Sequence, residues 1–205
     1  MTGRVLLVRH AETVWHADNR YAGARSDPDL TENGLRQVAA LAQGALAEGV
    51  QVVVSSPLRR AVRTATPAAE AVGVPLRVVP DLREVDFGIL EGHTLAEADP
   101  ERARRFVADP AAHPFPGAEP PRNAAARAAA ALRDVGARYP ESTVLVVGHS
   151  TVLRLALCEL LGLPVAAYRQ LIPRLDNVAV TEIRLPADAS RSVSLLSLNR
   201  TFPPP

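Results

Sequence analysis

The sequence predicts an α/β fold, a three-layer sandwich with a mainly parallel central sheet flanked by helices, and three observations predict it. Strand-like and helix-like segments alternate along most of the 205 residues, the order that builds a parallel sheet with helical crossovers. Apolar runs such as Val5-Leu-Leu-Val8 and Val144-Leu-Val-Val147 suit strands covered on both faces. Both of these runs lead abruptly into a histidine, His10 and His149, and ligands of open parallel sheets bind just beyond the carboxyl ends of strands.

The elements follow in order. A strand is expected over 3–8, then a helix from about 32 to 48 opened by Thr31 as its cap. Val52-Val-Val-Ser55 marks a strand over 51–55, and Pro57 suits the first turn of a helix over 57–72. A short strand over 75–79 leads into the loop from Leu82 to Gly92. The middle is irregular: helical stretches 100–108 and 122–138 flank a proline-rich loop from Asp109 to Pro121, and this insertion at about 93–141 is expected to form a small cap over the site. A strand over 143–148, a helix over 151–161 and two last strands near 178–185 and 192–198 complete the chain, with Pro203–Pro205 as a frayed end.

Composition bounds the function classes. The chain is long enough to bury a core without disulfides or metals, so one domain over 1–205 is expected. The single Cys158 can form no internal disulfide and suits a reducing compartment. The N-terminus enters the first strand at once, leaving no room for a signal peptide, and no apolar run approaches a membrane span. The expected location is therefore the cytoplasm. A formal charge of +1 supports neither nucleic-acid nor membrane binding. The five histidines and one cysteine show no structural-zinc spacing, and no metal site is expected.

Four segments carry the chemistry. Arg9-His10-Ala11-Glu12-Thr13 follows the first strand, and Gly148-His149-Ser150-Thr151 follows the 143–148 strand. Ser56-Pro57-Leu58-Arg59-Arg60 opens a helix with arginines in its first turn. The Leu82–Gly92 loop offers Glu84, Asp86 and Glu91. Order and spacing here, with Asp29-Leu-Thr-Glu-Asn-Gly34, Gly117-x-Glu119 and Asp176-Asn177, resemble the histidine phosphatase superfamily that includes cofactor-dependent phosphoglycerate mutase. The chain departs from that pattern in having Ala11 where Gly is usual, His16 where Asn is usual, and Pro120 where Ser follows Gly-x-Glu.

The resemblance implies a phosphoglycerate mutase-like fold and a nucleophilic His10 that forms a phosphohistidine. It makes His149 a donor that stabilises the transition state, and gives Glu84 the double role of general acid and then base. Phosphoryl transfer is mainly a problem of positioning and electrostatics. With no Walker A sequence and no lysine in the chain, the phosphoryl charge must be met by arginine and histidine. Arg9 and Arg60 offer the directed donors that guanidinium supplies, and nearby cations keep His10 unprotonated, as a nucleophile requires. On sequence alone Asp86 and Glu91 compete with Glu84 as the acid. Further substrate contacts are expected from Thr13, His16, Arg20, Tyr21, Gly23 and Ser150, with Trp15 a candidate for the pocket wall.

The leading expectation is a metal-independent phosphomonoesterase with no cofactor, acting on a small phosphorylated substrate. Two alternatives stand beside it: a phosphoglycerate mutase, and a non-catalytic phosphate-binding or regulatory protein on the same fold. Ser150 and Thr151 follow the second histidine, where the acid-phosphatase branch has its acid, which favours the mutase-like branch. Oligomeric state is left open, a homodimer included.

Overall fold

A computed structural model describes residues 3–186 and 192–202, so the frayed end expected at Pro203–Pro205 lies outside the described residues. Six strands form one sheet: β1 (Gly3–Arg9), β2 (Val52–Ser55), β3 (Leu76–Val78), β4 (Thr143–Gly148), β5 (Val180–Leu185) and β6 (Ser194–Arg200). Their order is β3-β2-β4-β1-β5-β6. Strands β3, β2, β4 and β1 run parallel, whereas β5 and β6 join antiparallel at one edge. Six helices accompany them: α1 (Glu32–Ala47), α2 (Arg59–Val72), α3 (Pro100–Ala108), α4 (Pro121–Arg138), α5 (Ser150–Leu161) and the single turn α6 (Tyr168–Leu171).

Side-chain alternation along β1 splits the core in two, because successive residues of a strand face opposite sides. Val5 and Leu7 pack with Val144, Val146, the alanine face of α4 and the leucines of α5. Leu6 and Val8 pack on the other side with Leu41 and Ala45 of α1 and Ala61, Ala65 and Ala68 of α2. Of the stretch 93–141, α4 lies in the helical layer, with Ala124, Ala125, Ala128 and Leu132 fully buried. In the same stretch α3 and the proline-rich loop are joined by Phe106 and Phe115, packed edge to face at 5.1 Å.

One expectation is corrected at α2. The helix begins at Arg59, with Pro57 before it rather than in its first turn. Its start is set by a carboxylate from another loop: Asp27 accepts the backbone N–H groups of both Arg59 and Arg60, taking up two of the donors that a helix leaves free. Among the described residues, no helix is long and apolar enough to cross a membrane.

Candidate active site

Register places the two histidines together. Parallel pairing of β1 with β4 sets Arg9 against Gly148, and the His10 N–H donates to the Gly148 carbonyl at 2.9 Å. His10 and His149 therefore leave neighbouring strands at the same edge, with ring centroids 5.1 Å apart. Ser56, the residue after β2, has its hydroxyl 2.6 Å from His149 Nε2. His10 borders a cleft of about 860 Å³, whose wall also includes Arg9, Thr13, His16, Glu84 and Ser150, whereas His149 and Ser56 are fully buried behind it and do not line it.

The hydrogen bonds assign the ring protons. His10 Nδ1 lies 2.7 Å from the Ala11 carbonyl, which only accepts, so the proton sits on Nδ1 and Nε2 keeps its lone pair. Burial, Arg60 and Arg9 hold His10 well below the ordinary histidine pKa. His149 is lowered likewise by burial and Arg60. Its Nδ1 is buried without a partner, while Ser56 Oγ, already accepting from the Leu58 N–H, has its own proton to offer Nε2.

Both arginines keep one donor free. Arg60 is 1% exposed and does not line the cleft. Its terminal nitrogens are spent on the carbonyls of Ala22, Gly23 and Ser26 and on Asp27. Arg9 donates to the Leu175 carbonyl at 3.0 Å and to His16 Nε2 at 2.6 Å, and burial lowers its pKa to about 10. Arg9 Nε, Arg60 Nε and His149 Nδ1 are all buried and unpartnered. Leaving a buried donor unsatisfied is costly, and each of the three is a donor of the kind an oxyanion accepts from.

Glu84 alone of the three candidate acids reaches the cleft. Its carboxylate accepts the N–H groups of Val85 (2.9 Å), Thr151 (3.0 Å) and Val152 (2.8 Å), tying it to the first turn of α5. Oε2 takes only one of these bonds and retains a site for a proton. Asp86 instead pairs with Arg25 and accepts the Gly88 N–H, and Glu91 accepts from Ser26 and the Arg25 backbone.

The expected substrate contacts divide. Thr13, His16, Arg20, Tyr21 and Ser150 line the cleft, as does Trp15. Arg20, however, is held by Glu97 at 3.1 Å and by the Gly92 carbonyl at 2.8 Å, which makes it a loop tie. Gly23 does not line the cleft: it gives its carbonyl to Arg60, and a Cβ there would fall 2.3 Å from Glu91 Oε1. Arg154 and Arg169 also line the cleft and were not expected. Arg154 had a legible signal, being a lone charge in the apolar run Val152-Leu-Arg-Leu-Ala-Leu-Cys158, one turn after Ser150. Arg127 carries another unforeseen role: its guanidinium binds Glu119 and the carbonyls of Asp81, Arg83 and Glu84, fixing the loop that presents Glu84.

A buried histidine pair with two arginines and a carboxylate thus lies at the carboxyl edge of an open α/β sheet. Residues 5–197 match the histidine phosphatase superfamily (branch 1), and the chain belongs to that family. It is 39% identical over 199 residues to the bifunctional protein Rv2228c of Mycobacterium tuberculosis, covering 95% of this chain and 53% of that one. The chain thus spans about half the length of this relative. It is 34% identical to phosphoserine phosphatase 1 of Hydrogenobacter thermophilus, over 97% of this chain and 92% of that one. Among solved structures, a mycobacterial glucosyl-3-phosphoglycerate phosphatase superposes with a TM-score of 0.86 at 27% identity, covering 98% of this chain and 100% of that one.

Proposed function

We propose that the protein hydrolyses small phosphate monoesters through a phosphohistidine on His10 Nε2, without a metal. The observation that carries this reading is the tautomer of His10. Its proton is tied to the Ala11 carbonyl at 2.7 Å, and burial beside Arg60 and Arg9 keeps the ring neutral, so Nε2 has a lone pair to give.

In the first step Nε2 attacks phosphorus, the ester P–O bond breaks, and the departing oxygen takes a proton from Glu84. In the second, Glu84 as carboxylate takes a proton from water, whose oxygen attacks phosphorus. The P–N bond then breaks, and inorganic phosphate leaves with His10 restored. Throughout, the free donors of Arg9, Arg60 and His149 meet the equatorial oxygens, where charge develops. Asn177, bound to the His10 carbonyl at 2.7 Å, holds the nucleophile's backbone.

Hydrolysis is favoured over transfer between hydroxyls because only 65 positions separate Glu84 from His149, and α4 and β4 occupy much of that length. What remains over the cleft is short, and a transferase needs closure to exclude water. Relatives carry phosphatase and mutase names alike, so the choice rests on this length. The test supplies 3-phosphoglycerate with catalytic 2,3-bisphosphoglycerate and follows both 2-phosphoglycerate and free phosphate. Phosphate release with little isomerisation is expected; rapid isomerisation without phosphate release would mean a mutase.

A further inference from the structure

Ser56 lies behind the cleft, and its side chain meets the phosphoryl site through one group, the ring of His149. The sheet sets its place. Parallel pairing of β2 with β4 puts Ser55 against Val147. The Ser56 N–H donates to the Val147 carbonyl at 2.9 Å, and the Ser56 carbonyl accepts the Ser55 hydroxyl at 2.9 Å. With its backbone held on both sides, Ser56 brings its hydroxyl to 2.6 Å from His149 Nε2, and both residues are fully buried.

The direction of that hydrogen bond decides what His149 can do. Burial and the charge of Arg60 keep the ring neutral, and a neutral imidazole carries one proton, on Nδ1 or on Nε2. If the proton sat on Nε2, Ser56 Oγ would accept it. The hydroxyl proton would then have no acceptor among the described residues, because the other neighbour of Oγ is the Leu58 N–H at 3.3 Å, which only donates. Nδ1 would at the same time be a buried lone pair without a partner. With the proton on Nδ1, the hydroxyl donates to Nε2 and Oγ accepts from Leu58. One polar group of the pair is then left unsatisfied instead of two, and each costs free energy when buried.

We infer that Ser56 is a positioning residue of the reaction: it donates its hydroxyl proton to His149 Nε2 and so fixes the His149 proton on Nδ1, the one ring nitrogen left to donate to the phosphoryl group. This rests on the hydrolysis reading, in which His149 meets an equatorial oxygen. Ser56 itself touches no substrate, since it does not line the cleft, and no bond to its oxygen forms or breaks. Without its hydroxyl the two ring nitrogens compete for the proton. In the fraction protonated on Nε2, the phosphoryl oxygen meets a lone pair in place of a donor.

The test reads the tautomer and the rate separately. Heteronuclear NMR on protein labelled with ¹⁵N in histidine reports which nitrogen carries the proton in the resting state. The chain has five histidines, so the His149 ring is assigned by backbone-to-ring correlation without a variant of His149. The parent should show Nδ1 protonated and Nε2 bare. Ser56→Ala should gain an Nε2–H population, and Ser56→Cys, whose thiol donates weakly, should lie between the two. Turnover of an aryl phosphate should follow the same order, with kcat of Ser56→Ala lowered at least about tenfold, towards the cost of losing one transition-state donor. In a His149→Gln background, Ser56→Ala should cost less than about twofold more, because residues that act through one another are not additive. A parent ring protonated on Nε2, a tautomer or kcat unmoved in Ser56→Ala, or an equal loss in both backgrounds overturns the assignment. Where His149→Gln fails to fold, the tautomer and the kcat of Ser56→Ala decide it. Phosphate release by the unmodified protein decides the hydrolysis reading on its own, and the tautomer, read without substrate, stands apart from that result.

Discussion

His10 has its ring centroid 5.8 Å from that of His16 and 5.1 Å from that of His149, and all three imidazoles are held neutral by burial and arginine. His16 shows why this matters. Arg9 can only donate, so its 2.6 Å contact to Nε2 requires a lone pair there. Nδ1 in turn faces the Thr13 backbone N–H at 3.0 Å, so both ring nitrogens lie against groups that can only donate. Protonating Nε2 would break the contact that orients Arg9. Burial and Arg9 lower the His16 pKa to about 4, whereas in the unfolded chain it lies near the ordinary value of about 6.5. The unfolded state therefore binds the proton first on acidification. His16's contribution to stability is fully present above pH ~6.5 and is lost as pH falls from there towards about 4. Melting temperature against pH should fall over that window, and His16→Asn should flatten the slope by about one proton's worth. An unchanged slope would remove the neutral acceptor role. That His16 departs from the family pattern was legible in the sequence; that it binds Arg9 was not, because the contact depends on how the 13–16 turn folds back.

At the level of elements, strand register and helix starts assemble the site. The pairing of β1 with β4 brings the histidines side by side, Asp27 caps α2 so that Arg60 points inward, and the first turn of α5 grips Glu84. Arg127 of α4 closes this set by holding the 81–84 loop through three carbonyls. Arg127→Met should keep the packing of the α4 stem yet free that loop, lowering kcat by about ten- to a hundredfold, as misplacement of a catalytic group does. KM should change much less. Steady-state kinetics with a circular dichroism melt checks this, and an unaltered kcat would show that Glu84 needs no such support. The parallel strands and main helices were legible because their apolar runs and periodicity are strong. The antiparallel direction of β5 was not, since alternation alone does not give strand direction, and neither was the true start of α2, which Asp27 sets from a distant loop. The role of Arg127 was not legible because its partners lie up to 46 positions away.

Across the whole molecule, the open sheet gathers buried guanidinium and imidazole at its carboxyl edge. Among the described residues no group of three or more His, Cys, Asp or Glu is arranged to hold a metal ion, and the acids nearest the cleft are bound to backbone or arginine. Turnover of an aryl phosphate should therefore be unchanged by EDTA; loss with chelator and recovery with Mg²⁺ would contradict a site run by arginine and histidine.

The covalent intermediate on His10 is the centre of the account, and rapid quench with a ³²P-labelled phosphomonoester observes it most directly. Within one turnover the protein should carry acid-labile, base-stable label, which disappears as phosphate is released. His10→Ala should carry none and should lose several orders of magnitude in kcat. Label retained by His10→Ala, or turnover in that variant at a tenth of the parent rate, would contradict the account.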